Sequence, residues 1–452
     1  MVNSSFFSDL LASITERGRS LLGLAPWPDD PAGQAAHMIS ACETVLSGRG
    51  EASGAALSRE VLDHYAQMGA PAKLAFFQSL AHQFGVERSK LEKAIEAWRA
   101  APNDDTSADL HFATEPRRQE LFRRLNRAPG GTAAIVGMRA DMLAMAKENP
   151  DLAMVDRDFA HLLASWFNRG FLVLKRIDWS TPASILEKII RYEAVHEIRD
   201  WGDLRRRTDP ADRRCYAFFH PALVDEPLIF VEVALTEEIP AAIAPLLAEG
   251  RQVLPTKKAR CAVFYSISNC QAGLAGISFG NFLIKQVVEE LRRELPKLET
   301  FVTLSPVPGF RAWLRTEADK LPVAEEDRNL LEGLDDAKWL DDPNEAKRRR
   351  KVLEPLAAHY FLDAKNRHGR PVDAVARFHL GNGARLERIN WAGDISRNGL
   401  RQSAGLMVNY LYELDDIEKN HEAFANQGLV TASSAVRKLT KGETRLRAFL
   451  QG

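Results

Sequence analysis

The sequence predicts two architectures in series: an all-helical bundle over residues 1–165, then a mixed α/β domain over 166–452. Three observations carry that prediction. Apolar residues in the first third recur at helical spacing and never alternate as a strand would. The character changes near Gly170, after which short apolar strand-like runs are interleaved with helical segments. From Val263 to Leu291 a strand, a glycine-rich turn and an amphipathic helix follow one another, a succession that belongs to an α/β chain. A length of 452 residues suits two or three domains, and 45% hydrophobic against 27% charged residues leaves ample material for their cores.

Taken in order, helical spacing covers 33–47, 58–68, 72–84, 87–100, 115–127, 132–148 and 156–169. Ser58 is expected to cap one helix, and Pro71 to open another. Gly69 and the Gly130–Gly131 pair sit where helices should end. A further short helix is expected to carry Phe6, Leu10, Leu11 and Ile14 on one face. The bundle holds few plausible reacting groups and reads as a structural or assembly domain. Beyond Gly170, strands are expected at Phe171–Trp179, Cys215–His220, Leu228–Leu235, Arg260–Ser268, Phe301–Leu304 and Leu406–Leu414, with helices at 184–195, 241–249, 279–294 and 343–364. The charged stretch Asp335–Lys351 ends in Arg348, Arg349, Arg350 and Lys351. It reads as the solvated face of a helix, or as a docking patch for a nucleotide phosphate.

Composition excludes several classes. A formal net charge of −1 gives no global field toward nucleic acid or anionic lipid. No stretch of about 18 apolar residues is present to span a membrane. Four cysteines, Cys42, Cys215, Cys261 and Cys270, lack Cys-x-x-Cys spacing, which argues against a zinc cluster or a disulfide framework. Cys261 and Cys270 flank an apolar strand and read as buried thiols, as suits a reducing cytoplasm. Residues up to Pro26 lack a signal peptide's basic region and cleavage site, and the final Phe-Leu-Gln-Gly is not a peroxisomal Ser-Lys-Leu address. A cytoplasmic location is the expectation.

Three segments carry candidate chemistry. In the first, Gln271-Ala-Gly-Leu-Ala-Gly276-Ile-Ser-Phe-Gly280-Asn281 enters a helix bearing Phe282, Leu283, Val287, Val288 and Leu291. Glycines let main-chain N–H groups approach a phosphate, and a helix N-terminus adds partial positive charge. The absence of Gly-Lys-Ser/Thr excludes a P-loop, and the spacing of Gly273, Gly276 and Gly280 is not that of a dinucleotide fold. A tight turn that only packs helix on sheet is the alternative. In the second, Thr303-Leu-Ser305-Pro-Val-Pro-Gly-Phe310 places Ser305 at a strand end before two prolines. Ser305 is a reacting group there or a cap of the next turn; no Gly-x-Ser-x-Gly elbow is present. In the third, His379 lies between Phe378 and Leu380, before Gly381-Asn-Gly383. It is a catalyst or a hydrogen-bonded core residue. The strand ending in Tyr410 and Tyr412 should point both phenols to one face, either core or site.

Gln-x-Gly-x-x-Gly entering a helix resembles the coenzyme A pyrophosphate loop that follows the fourth strand in the GNAT acyltransferase superfamily. The order of the motifs says more. Leu-Ser305-Pro-x-Pro-Gly-Phe, Phe-His379-Leu-x-Asn-Gly-Ala, Arg388-Ile-Asn-Trp391 and Gly405-Leu-Met-Val-Asn-Tyr-x-Tyr412, after that loop, together resemble the malonyl-CoA decarboxylase family. Glu193-Ala-Val-His196, Trp201-x-Asp-Leu204, Arg213-Arg-Cys-Tyr216 and Glu226-Pro-Leu228 extend the likeness upstream, and Arg139-Ala-Asp141 and Ser165-Trp-Phe167 extend it more loosely into the bundle. The resemblance implies a helical domain before a GNAT-like catalytic domain, a homotetramer, a place in fatty acid metabolism, and malonyl-CoA and acetyl-CoA as substrate and product. It further implies a catalytic set of Ser305, His379 and Tyr412, with Ala275, Gly276, Ile277, Ser278, Phe279, Gly280 and Asn281 contacting the coenzyme moiety. It implies no metal, no biotin and no other cofactor, the substrate itself carrying coenzyme A. Animal members carry Glu at the position of Ser278, so a carboxylate partner for the histidine is missing there, and Ser278 or another group must orient the ring. An acyl-CoA-dependent N-acyltransferase and a non-catalytic CoA-thioester sensor are the alternative functions.

Overall fold

The computed structural model describes residues 28–47, 51–277, 283–317 and 325–440. The expected helix around Phe6–Ile14 and the loop positions Ser278, Phe279, Gly280 and Asn281 lie outside those residues. By their contacts, the described residues up to Leu172, with 220–224 and 271–277, form one compact unit; 173–219, 225–270 and the described residues from 283 onward form the other.

The first unit is helical, as its spacing predicts: α1 (Pro31–Leu46), α2 (Glu51–Gln67), α3 (Ala70–Gln83), α4 (Arg88–Ala100), α5 (Asp104–Ala113), α6 (Arg117–Asn126), α7 (Gly131–Ala146) and α8 (Ala153–Trp166). Its core is aromatic. Phe76, Phe77, Phe84, Phe122, Phe159 and Phe167 are fully buried, and Phe122 stacks on Phe159 at 4.1 Å. Two expectations need correction. Ser58 lies inside α2, seven residues past Glu51, because Ala-rich chain before it already favours helix. Helix α5 goes unforeseen because Ala108, Leu110, Phe112 and Ala113 form no continuous apolar stripe; a reciprocal cap between Asn103 and Thr106 starts it.

The second unit is built on a mixed sheet of β1 (Val173–Ile177), β2 (Arg213–Phe219), β3 (Pro227–Thr236), β4 (Cys261–Asn269), β5 (Thr300–Thr303), β6 (Ser305–Pro306), β7 (Arg385–Asn390) and β8 (Met407–Leu411). Their order is β1-β2-β3-β4-β5-β8-β6, with β7 paired to β8. Pairing is antiparallel except between β4 and β5, which a crossover through α12 joins in parallel. The elements connecting the strands are α9 (Ala183–Tyr192), α10 (Trp201–Thr208), α11 (Ala244–Leu247), α12 (Leu283–Glu294), α13 (Phe310–Glu317), α14 (Pro343–Leu362), α15 (Ala374–Gly381) and α16 (Arg397–Ser403), with α17 (Ile417–Gln427) after β8. Strand β7 escapes sequence reading because Arg-Leu-Glu-Arg-Ile-Asn is half charged; Arg388 and Asn390 bond Asn409 across to β8. In α14, Arg349 is buried against the carbonyls of Leu330 and Glu332, while Arg350 pairs with Glu354 on the same face. The four cysteines are buried free thiols, and among the described residues no helix is long and apolar enough to cross a membrane.

Candidate active site

The sheet brings Ser305 and His379 together. The chain leaves β5 at Thr303 and re-enters the sheet at Ser305, which pairs with Val408 of β8. Asn409 fixes this crossing by donating its amide to the Thr303 carbonyl at 2.7 Å. His379 rides near the C-terminal end of α15. Asp373 caps the start of that helix through the Ala376 N–H, and Gly383, in the left-handed region at φ 83°, turns the chain away after it.

Ser305 Oγ lies 3.2 Å from His379 Nε2, and His379 Nδ1 lies 2.8 Å from the Tyr412 hydroxyl. The ring also stacks on Tyr410, centroids 4.6 Å apart. Both phenols therefore address the histidine, one by its edge and one by its face. The Tyr412 hydroxyl is thus a partner that can orient the ring; Ser278 lies outside the described residues. At the far end, the Ser305 hydroxyl donates to Thr303 Oγ1 at 2.9 Å, and Thr303 Oγ1 also accepts the Tyr410 N–H at 3.1 Å.

All of these groups are buried. Burial pulls the His379 pKa from 6.5 down to about 3 and pushes the Tyr412 phenol well above its ordinary value. His379 is thus a neutral imidazole at physiological pH. Ser305 and His379 open on a cavity of 240 Å³, lined besides by Val195, Phe264, Tyr265, Ile267, Asn269, Pro306, Ala374, Val375 and Phe378. No Asp, Glu, Lys or Arg is among these lining residues. A register shift between β3 and β4, opposite Glu232 and Val233, leaves Tyr265 as an extra residue, so Phe264 joins the alternating Tyr265, Ile267 and Asn269 on the cavity wall.

Glu193 holds the chain that carries Val195. Its carboxylate accepts the N–H groups of Val195 and His196 and the Ser266 hydroxyl. Glu193 and His196 belong to a motif legible in the sequence, yet its spacing gives no hint of this anchoring. Among the described residues, no group of three or more His, Cys, Asp or Glu side chains is gathered as a metal site requires.

The expected coenzyme loop begins in the helical unit. Ala275, Gly276 and Ile277 follow a single 3-10 turn at Ala272–Leu274. Arg139 of α7, itself buried, donates from Nη1 to the carbonyls of Gly273 at 2.8 Å and Ala275 at 2.9 Å, while its Nε meets Asp156 at 2.8 Å. Gly276 adopts φ 75°, and a Cβ built there meets no atom of the described residues within 4 Å. The sequence expectation is a bundle with few plausible reacting groups; Arg139 acts on the loop through main-chain carbonyls, a contact marked in the sequence only by its place in Arg139-Ala-Asp141.

Two family models match successive parts of the chain. A family model for the malonyl-CoA decarboxylase C-terminal domain matches residues 170–449, and one for the N-terminal domain matches 84–167. Mitochondrial malonyl-CoA decarboxylase of the goose Anser anser anser is 36% identical over 84% of this chain and 82% of its own length; that of Rattus norvegicus is 35% identical over 80% of each. The crystal structure of malonyl-CoA decarboxylase from Rhodopseudomonas palustris matches with a TM-score of 0.87 at 60% identity, covering 89% of this chain and 99% of that one. The corresponding structure from Cupriavidus metallidurans matches with a TM-score of 0.71 at 38% identity, covering 90% and 99%.

Proposed function

Because the chain belongs to the malonyl-CoA decarboxylase family, we propose that it converts malonyl-CoA to acetyl-CoA and CO2, with Ser305 and His379 protonating the carbon that loses the carboxylate. The observation that carries this reading is the buried Ser305–His379–Tyr412 chain at the wall of an uncharged cavity. Heterolysis of the carbon–carbon bond releases CO2 and leaves the electron pair on the thioester enolate. That enolate is a strong base, so a neutral imidazole N–H is acid enough for it. The proton passes from Nε2 directly or through the Ser305 hydroxyl. Tyr412 steadies the charge left on the ring by donating to Nδ1, and solvent restores the proton. Main-chain donors at the developing oxyanion would lower the barrier by about 3–4 kcal/mol. The uncharged wall leaves the malonyl carboxylate poorly solvated, which favours its loss. No cofactor takes part in this scheme.

The loop from Ala275 onward is assigned to the coenzyme moiety on the support of Gly276, whose backbone conformation and open flank suit a close main-chain approach to phosphate. The helical unit is assigned to homo-oligomer assembly, as a tetramer by family resemblance. Helices α4 and α5 bury no residue, and Trp98 and Phe112 project from them at 41% and 71% exposure. Replacing both with Asp should lower the subunit number seen by light scattering; an unchanged number would remove this face from the interface. A cytoplasmic location is assigned on the four buried thiols.

The deciding experiment is stoichiometric. Incubation with malonyl-CoA alone should yield one CO2 and one acetyl-CoA per substrate consumed. An N-acyltransferase would require an acceptor amine, and a CoA-thioester sensor would bind without turnover; either result would displace the decarboxylase reading.

A further inference from the structure

Thr303 is wholly buried two residues before Ser305, and no role has yet been assigned to it. Its Oγ1 receives the Ser305 hydroxyl at 2.9 Å and the Tyr410 N–H at 3.1 Å. A hydroxyl has one proton to give. With that proton committed to Thr303, Ser305 Oγ can meet His379 Nε2, 3.2 Å away, only as an acceptor. The ring proton must then sit on Nε2. The opposite edge of the ring agrees. Tyr412 is fully buried and its phenol stays protonated, so it has a proton to donate across 2.8 Å to an Nδ1 that carries a lone pair, which matches the Nε2–H ring. Four groups are thereby ordered in one direction: Tyr412 to His379, His379 to Ser305, Ser305 to Thr303.

We infer that Thr303 is a positioning residue for the decarboxylation: by accepting the Ser305 hydroxyl proton it holds His379 in the Nε2–H tautomer, the one whose transferable proton faces the cavity. The inference rests on the reading of Ser305 and His379 as the proton-donating pair. In the other tautomer Nε2 presents a lone pair and would take a proton rather than give one. An imidazole held in the wrong tautomer with its geometry intact loses up to about 10⁴-fold in kcat.

The test begins with the unaltered protein. Long-range ¹H–¹⁵N correlation spectra of histidine-labelled enzyme should show His379, identified by its loss in His379→Asn, protonated at Nε2. Thr303→Val removes the acceptor at nearly constant volume. Ser305 then turns its proton to Nε2, and the ring signal should change to the Nδ1–H pattern. Turnover of Thr303→Val should fall at least about tenfold with KM held within about twofold, since the interaction lost acts on the transition state rather than on ground-state binding. Thr303→Ser, which keeps the acceptor, should restore both tautomer and turnover. An Nδ1–H pattern in the unaltered enzyme overturns the inference, as does a folded Thr303→Val with full kcat. Thr303→Val also strips the buried Tyr410 N–H of its acceptor, at a cost of about 1–3 kcal/mol in stability. Should it fail to fold, the spectrum of the unaltered enzyme and the Thr303→Ser rescue still decide. Full turnover in His379→Ala would instead overturn the catalytic pair itself, whereas an inactive His379→Ala beside a normal Thr303→Val overturns the role of Thr303 alone.

Discussion

The loop at 271–277 and the chain of side chains around His379 are held in opposite ways. Arg139 fastens the loop with a buried guanidinium on two carbonyls, balanced by Asp156. Around His379 the bonds run between neutral groups, and the cavity wall carries no formal charge. The difference follows from what each must do. Carbonyls never change their protonation, so a charged donor gives them the strongest directional hold available. An imidazole that surrenders and recovers a proton would have its affinity for that proton displaced by any fixed charge nearby. Neutral partners orient it without setting its charge.

The contrast is broken most forcefully at the neutral chain. His379→Ala or Ser305→Ala should lower kcat by roughly 10²–10⁴ while leaving calorimetric affinity for free CoA nearly unchanged. The double variant should cost little more than the worse single one if the two act as a unit. Full activity in His379→Ala would end the assignment. A smaller and opposite split is expected at the loop. Gly276→Val forces a β-branched residue to φ 75° and should raise the CoA dissociation constant about tenfold, or about 1.4 kcal/mol, with kcat at saturation little altered. If a folded variant bound CoA as tightly as before, the loop would be a packing turn and the contrast would lose one of its sides.

The gentlest probe is pH. Burial lowers the folded-state value of His379 to about 3, so the proton that would convert the neutral imidazole is bound only below that point. From about pH 5 to 8 this group should leave kcat/KM flat, with its acid limb near pH 3–4. An acid limb centred on the ordinary histidine value of 6.5 would mean that the free enzyme's histidine is solvated or charge-paired.

Much of this architecture is written locally. Long periodic helices and apolar strands announce themselves because spacing alone fixes which face is buried. Helix α5 does not, because its few apolar residues make no continuous stripe and a cap sets its start. Nor does α15, whose eight residues are too short a run to show a period. The Ser305–His379 pair spans 74 residues and forms only because β8 draws β5, β6 and β7 together. Neither motif could show that pairing alone; their order, matched to a family, indicated it. The hold of Arg139 on the loop is hidden for another reason. Its partners are main-chain carbonyls 134 and 136 residues away, and a carbonyl leaves no mark in a sequence.

One glycine of that loop has a consequence for how the gene can vary. A methyl group on Gly273 would stand 1.9 Å from the Val136 carbonyl oxygen, main chain against main chain, with no flexible side chain to yield. Every missense change that a single base can make in a glycine codon introduces at least that methyl. Random mutagenesis scored by malonyl-CoA decarboxylation should therefore return only synonymous changes at this codon, while Gly250 and Gly54, where an added Cβ meets no described atom within 4 Å, accumulate replacements more freely.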